Sequence, residues 1–357
     1  MERIVEVGRF RPQRPRQIDV ANLAGVSRAT VSFVLNERSD MRVPISKETR
    51  QKVQAAARQL GYQPNVLARS LKAGSSQAIG FLIPALHNPH YWDTLDGAEE
   101  EITARGYHLI LVVSNLNPDR ELKALHSLFE RRLDGMILMP TFMDMFPEEL
   151  KAVKERAIPV VFTTPMEGID WIFHDTRSGA EQLMDHLLSL GHRRIGFING
   201  VARPNLAQTR LDVYQEKLAS AGIETDPELI RCCGYLVGHG YQEACALLDL
   251  PYPPTAIWTI NDLLAIGALR AIQERGLRIP QDIALAGFDD ITFAQQLYPP
   301  LTTVQMQARE LGRRTVQILF NRLEKPDFPL VQEMLPTHLI IRESTVPAHS
   351  QRPRSPG

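Results

Sequence analysis

The chain has 357 residues, 44% apolar and 23% charged, with 40 Lys+Arg against 41 Asp+Glu and a net charge of -1. That is ordinary globular composition, enough for two or three domains. No apolar run approaches the roughly 18 residues of a membrane span, and three cysteines (Cys232, Cys233, Cys245) without CxxC or Cys/His spacing exclude a disulfide framework and a zinc module. The basic N-terminus has no apolar stretch after it, so no secretory signal is read. The expectation is a soluble protein of a reducing cytoplasm, with no membrane partner, metal or cofactor.

The small net charge hides an asymmetry. Residues 1–75 hold 14 Lys+Arg and 6 Asp+Glu, a charge of +8, while the remainder carries -9. A basic head on an acidic body points to a polyanion as partner for the head. A solvated basic face with no ligand has the same composition, so charge alone leaves both open.

From Ile18 to Asn36 the sequence IDVANLAGVSRATVSFVLN predicts two short helices. Ile18, Ala21, Leu23 and Ala24 supply the first apolar face, and Val31, Val34 and Leu35 the second. Gly25 suits the tight turn between them, and Ser27 is placed as the second helix's N-cap. In such a pair the second helix can lie in a DNA major groove with its N-terminal residues at base edges. Those residues are Ser27, Arg28, Ala29, Thr30, Ser32 and Phe33, with Asn36 nearby. Arg28 offers a bidentate contact to guanine and Ala29 a contact to a thymine methyl. A plain capped hairpin fits the same spacing. A third helix is predicted from a Ser46 cap to about Leu60, with Val53, Ala56, Ala57 and Leu60 inward and Gly61 as its stop.

These stretches, DVANLAGVSRATVSFVLN, VPISKETRQKVQAAARQLGYQPN and ARSLK at 68–72, resemble the headpiece of the LacI/GalR family of bacterial transcription regulators. The resemblance implies a helix-turn-helix domain over 17–63 and a hinge over 64–75. In that family the hinge becomes helical on operator DNA, and a leucine from each subunit wedges into the minor groove. The matching residue is Leu71, with Lys72 beside it. A lone helix of about nine residues is marginal in water, so it would order only against DNA and a second copy.

Beyond residue 76, short apolar strands alternate with helices: AIGFLI, HLILVV, DGMILMP and IPVVFT, then RRIGFING, TAIWTIN and IALAGFDD. This pattern predicts two Rossmann-like lobes with parallel sheets. Ligands on such sheets bind beyond the carboxyl ends of the strands, which puts Tyr91, Trp92, Arg210, Asn261 and Asp289 at a cleft. The segments RRLDGMIL, HLLSLGHRRIGFING and TAIWTINDLLAIGALRAIQERGLRIPQDIALAGFDD resemble the effector domain of the same family, related in fold to periplasmic sugar-binding proteins. That domain is expected over 76–345.

The resemblance implies that Arg210, Asn261 and Asp289 hold a small polar effector between aromatic rings at Tyr91 and Trp92. Three positions depart from the pattern. Thr164 stands where an aspartate is common. Leu236 stands where a bulky aromatic is common, in a loop that can also be read as one residue shorter. Met306 stands where a glutamine is common.

The functional expectation is a homodimeric, operator-binding repressor controlled by a cytoplasmic metabolite, a sugar or sugar derivative, on a pseudo-palindromic operator. The C-terminal residues lack a heptad pattern, so a dimer without a tetramerising coiled coil is expected. Two alternatives stand beside it: a solute-binding protein without a DNA role, and a regulator with a degenerate pocket. No GxSxG, P-loop, HExxH or GxGxxG in a strand context supports an enzyme.

Overall fold

The structure is a computed structural model describing residues 15–35, 45–62, 75–156, 158–200 and 208–346. The chain divides into two compact units after Ser76.

The first unit packs α1 (Gln17–Ala24), α2 (Arg28–Leu35) and α3 (Lys47–Leu60) around Val20, Ala21, Val31, Val34, Val53, Ala56 and Ala57. Local chemistry sets each helix end. Ser27 Oγ accepts from Thr30 N at 3.1 Å, and Ser46 Oγ accepts from Thr49 N at 3.1 Å. Gly25 (φ +66°) and Gly61 (φ +62°) end α1 and α3 in the left-handed conformation that lacks a steric penalty only for glycine. The inward face of α1 differs from the expected one. Val20 is fully buried, whereas Ile18 and Leu23 are 40% and 47% exposed. At about 100° per residue, Val20, Ala21 and Ala24 form one stripe, and Ile18 and Leu23 lie on either side of it.

The second unit has two parallel sheets. The first runs in the order β11-β5-β4-β3-β1-β2. Its strands are β1 (Ala78–Ile83), β2 (His108–Val113), β3 (Gly135–Leu138), β4 (Val160–Phe162), β5 (Asp170–His174) and β11 (Gln332–Leu335). The second sheet has the order β7-β6-β8-β9, from β6 (Ile195–Asn199), β7 (Ile230–Cys232), β8 (Ala256–Thr259) and β9 (Ala284–Ala286). Helices cover both faces of each sheet, so the central strands are buried throughout, as their unbroken apolar sequences require. On the first sheet these are α4 (Pro89–Ala104) and α11 (Ala308–Glu324) on one side, with α5 (Pro118–Phe129) and α6 (Pro147–Lys154) on the other. On the second they are α7 (Thr176–Ser189) and α8 (Gln208–Ser220), then α9 (Val237–Leu248) and α10 (Asp262–Glu274).

The lobes are not consecutive in sequence. After β9, strand β10 (Thr303–Gln305) pairs antiparallel with β12 (His338–Ile340) beside the second sheet, but α11 and β11 between them return to the first lobe. The chain therefore passes between lobes three times, near residues 175, 307 and 336. The passages are tied together. Asp175 N donates to Leu335 O (2.8 Å), Thr337 Oγ1 to Asp175 O (2.7 Å) and Gln307 Nε2 to Pro336 O (2.7 Å). Among the described residues, no single helix is long and apolar enough to cross a membrane.

Candidate nucleic-acid interface and ligand cleft

The chain bends by 105° between α1 and α2, within the range of helix-turn-helix pairs. Arg28 and Ala29 stand exposed at the N-terminal end of α2. The Ser27 and Thr30 hydroxyls pair with each other at 2.9 Å, so both serve the cap. Ser32 and Phe33 are half-buried, and Phe33 lies outside the three-helix core. Lys52 pairs with Glu48 (2.8 Å) and Arg16 with Asp19 (3.8 Å). Arg28, Lys47, Arg50 and Arg58 make no ion pair among the described residues. Unpaired cations on a small domain are what phosphate contacts require. Asn36, Leu71, Lys72 and the expected hinge over residues 64–74 lie outside the described residues.

In the second unit a cavity of about 640 Å³ opens between the lobes, mid-range for a small-molecule site. Its wall is built from strand ends: Pro84 and Ala85 after β1, Met139 and Pro140 after β3, Thr163 and Thr164 after β4, His174 closing β5, and Ile260 and Asn261 after β8. The parallel sheets thus aim their carboxyl ends into one space.

The cavity contains unmet hydrogen-bonding capacity. Five lining residues bury a side-chain polar atom without a partner: His90 Nδ1, Thr141 Oγ1, Thr163 Oγ1, His174 Nε2 and Arg210 Nε. Buried polar groups are normally satisfied, and each orphan costs roughly 1–3 kcal/mol. A concentration of them in one cavity marks a place built to receive polar groups from outside.

Electrostatics points the same way. Asp289 Oδ2 accepts from Asn88 Nδ2 across the cleft at 3.2 Å, joining the two lobes. Burial raises the Asp289 carboxyl above its usual range, while His90, Arg210 and the Asn88 bond pull it back. Burial lowers Arg210, opposed by Asp289, Tyr235 and Tyr91. The Arg210 guanidinium lies 4.1 Å over the Phe288 ring. His174 is pushed down to about 3, first by burial and then by His90, and is a neutral imidazole at physiological pH. The His90 and His174 rings meet edge to face at 5.9 Å.

Of the residues expected at the cleft, the structure brings Tyr91, Thr164, Arg210, Asn261 and Asp289 to its wall. Asn261 is already committed. Its Oδ1 caps α10 at Leu264 N (2.9 Å), and its Nδ2 donates to Tyr235 O (3.3 Å).

Two expected residues lie elsewhere. Trp92 is not in the lining; it is 46% exposed and its indole N–H donates to Leu86 O. On α4, Tyr91 takes the inward direction, and the next residue is turned away by about 100°. Leu236 is also outside the lining, 40% exposed at the start of α9. Tyr235 takes its place, so the cavity keeps an aromatic ring there. A Cβ on Gly200 would come within 2.1 Å of that ring, so only glycine lets Tyr235 lie there.

The sequence reading missed Asn88, His90, His174 and Tyr235. Asn88 and His90 flank a proline at the start of α4, a position that also reads as ordinary capping. Nothing in the sequence pairs His174 with His90, because 84 residues of chain separate them.

Residues 18–65 match the family described as "Bacterial regulatory proteins, lacI family", and residues 184–345 the one described as "Periplasmic binding protein-like domain". The ribose operon repressor of Haemophilus influenzae is 33% identical over 337 residues, covering 91% of this chain and 97% of that protein. The chain belongs to the LacI family. Among solved LacI-type structures, the Lac repressor dimer bound to operator and the anti-inducer ONPF is 28% identical with a TM-score of 0.79, covering 93% of this chain and 99% of that one. A complex of the regulator CelR with cellobiose is 29% identical with a TM-score of 0.68, covering 93% and 100% respectively. This LacI-family member is accordingly a DNA-binding transcriptional repressor with a small-molecule effector domain, and not an enzyme.

Proposed function

We propose that this repressor works as a homodimer in the bacterial cytoplasm, each headpiece reading one half of a pseudo-palindromic operator. Arg28 and Ala29 at the exposed end of α2 contact base edges, and Ser32 and Phe33 lie behind them. Asn36 closes the helix, and Leu71 and Lys72 enter the minor groove from the hinge. The observation that carries this is the exposed N-terminal end of α2, with Arg28 unpaired among the described residues, set at a helix-turn-helix angle. Two-fold symmetry of the protein demands two-fold symmetry of its site. The effector is a small hydroxylated metabolite, held by Arg210 and Asp289 between Tyr91 and Tyr235. A cavity of about 640 Å³ with five buried orphan polar atoms favours this over a degenerate pocket.

The test is selection of sites from a random duplex library with the intact chain. The expected product is a sequence with two-fold related halves. Arg28→Ala should cost about 1–3 kcal/mol and relax the preference at one base pair in each half. If the wild type prefers no duplex over random competitor at low ionic strength, bare or with metabolites, the operator reading fails.

A further inference from the structure

The cavity has two chemically different ends. One is polar: Asn88 bonds Asp289 across the cleft, His90 packs on His174, and Arg210 lies close enough to Asp289 to hold down its carboxyl shift. The other is a thioether wall. Four of the chain's ten methionines, Met139, Met143, Met166 and Met306, line this one cavity. Met143, Leu150 and Met166 belong to a single apolar cluster on the α5–α6 side of the first lobe, so they form one continuous surface. Methionine is flexible and polarizable, and it suits surfaces that adapt to varied apolar groups.

Charge narrows the choice further. Among the described lining residues Arg210 is the single arginine or lysine, and the carboxylates Asp144 and Asp289 line the same space. A dianionic phosphoester would be poorly matched there.

Resting on the effector reading above, we infer that the cleft recognises a neutral polyhydroxylated ligand carrying a compact apolar substituent. The hydroxyls sit among His90, His174, Arg210 and Asp289, and the substituent lies on Met143, Leu150 and Met166. Hydroxyls both donate and accept, so one ring can satisfy the orphan His90 and His174 nitrogens and the threonine oxygens together. The substituent gains from leaving water in proportion to the apolar area it covers.

The experiment is calorimetric titration of the purified full-length chain with the methyl glycosides, phenyl glycosides and terminal phosphates of glucose, galactose, ribose and xylose. For at least one sugar the phenyl glycoside should bind about tenfold or more tighter than the methyl glycoside, a difference of about 1.4 kcal/mol. It should also bind tighter than the phosphate. In a Met143→Ser, Met166→Ser double variant that advantage should collapse, with methyl glycoside affinity kept within about twofold. Equal affinity for phenyl and methyl glycosides, tighter binding of a phosphate, no binding by any phenyl glycoside, or an advantage unchanged in the variant each overturns the inference. The comparison within the wild type decides even where the variant fails to fold. A gel shift on the selected operator separates the two proposals. A phenyl glycoside that binds yet leaves operator affinity unchanged removes the effector reading and leaves the ligand inference standing.

Discussion

Asp289 holds a backbone conformation unusual for any residue but glycine, with φ at +114°. Its neighbours enforce it. Asp289 N donates to Val304 O (2.9 Å), and buried Asp262 accepts from Ile291 N (2.9 Å) and Thr303 Oγ1 (2.6 Å). A Cβ on Gly287 would meet Asp262 Oδ1 at 2.1 Å, so the turn closes on that carboxylate. The loop is therefore set before any ligand arrives, and Asp289 can orient one without reorganising. Arg210→Ala should abolish the effector's influence on operator affinity while leaving basal DNA binding largely intact; a gel-shift dose-response with the wild type's effector measures both. His174 gives a pH prediction. Its folded value of about 3 lies below the ordinary 6.5, so between these values the unfolded chain binds a proton that the folded chain does not. Stability from this residue is complete above about pH 6.5 and is lost as pH falls toward 3. His174→Gln should therefore show a shallower loss of Tm from pH 7 to pH 4 than the wild type, and parallel curves would contradict the assignment.

At the scale of elements, glycines decide how closely helices pack. Gly240 of α9 and Gly267 of α10 face each other's backbones: a Cβ on Gly267 would fall 2.0 Å from Val237 O, and one on Gly240 2.1 Å from Leu264 O. Neither obstacle is a flexible side chain, so α9 and α10 would have to move apart. Both helices pack on the second sheet, and Asn261 caps α10 at the cleft. Gly267→Ala should cost roughly 1–3 kcal/mol by overpacking, seen as a lower Tm of the intact protein. An unchanged Tm would show that the helices separate freely. The headpiece uses ordinary sequence signals instead: Ser27, Ser46, Gly25 and Gly61 all act where their local chemistry predicts. That part of the fold was legible because caps and turns depend on neighbours within a few residues.

At the scale of the molecule, three tied passages join the lobes, and the bond from Asn88 Nδ2 to Asp289 Oδ2 spans the cleft between them. A ligand that takes over Asp289 competes with that bond, which converts occupancy into a change in lobe orientation. A coupling of roughly 1–3 kcal/mol changes operator affinity 5- to 150-fold. Asn88→Ala removes the bond without touching the headpiece. It should shift the unliganded protein toward an open cleft, read as a larger radius of gyration by small-angle X-ray scattering and a smaller change on adding effector. Identical scattering of variant and wild type, with and without ligand, would rule out the latch.

The amino-acid pattern by itself determined the three-helix head, the alternation of parallel strands with helices, and the residues that follow strands β4, β8 and β9, because these rest on spacings of two to four residues and on chain ends of strands. Only the tertiary structure decided that α11 and β11 return to the first lobe, that His90 meets His174, that Tyr235 and not Leu236 faces the cleft, and that Trp92 faces away. Each of these depends on which surfaces meet after the chain has crossed between lobes three times. Such meetings are set by packing between segments far apart in sequence, which no local period encodes.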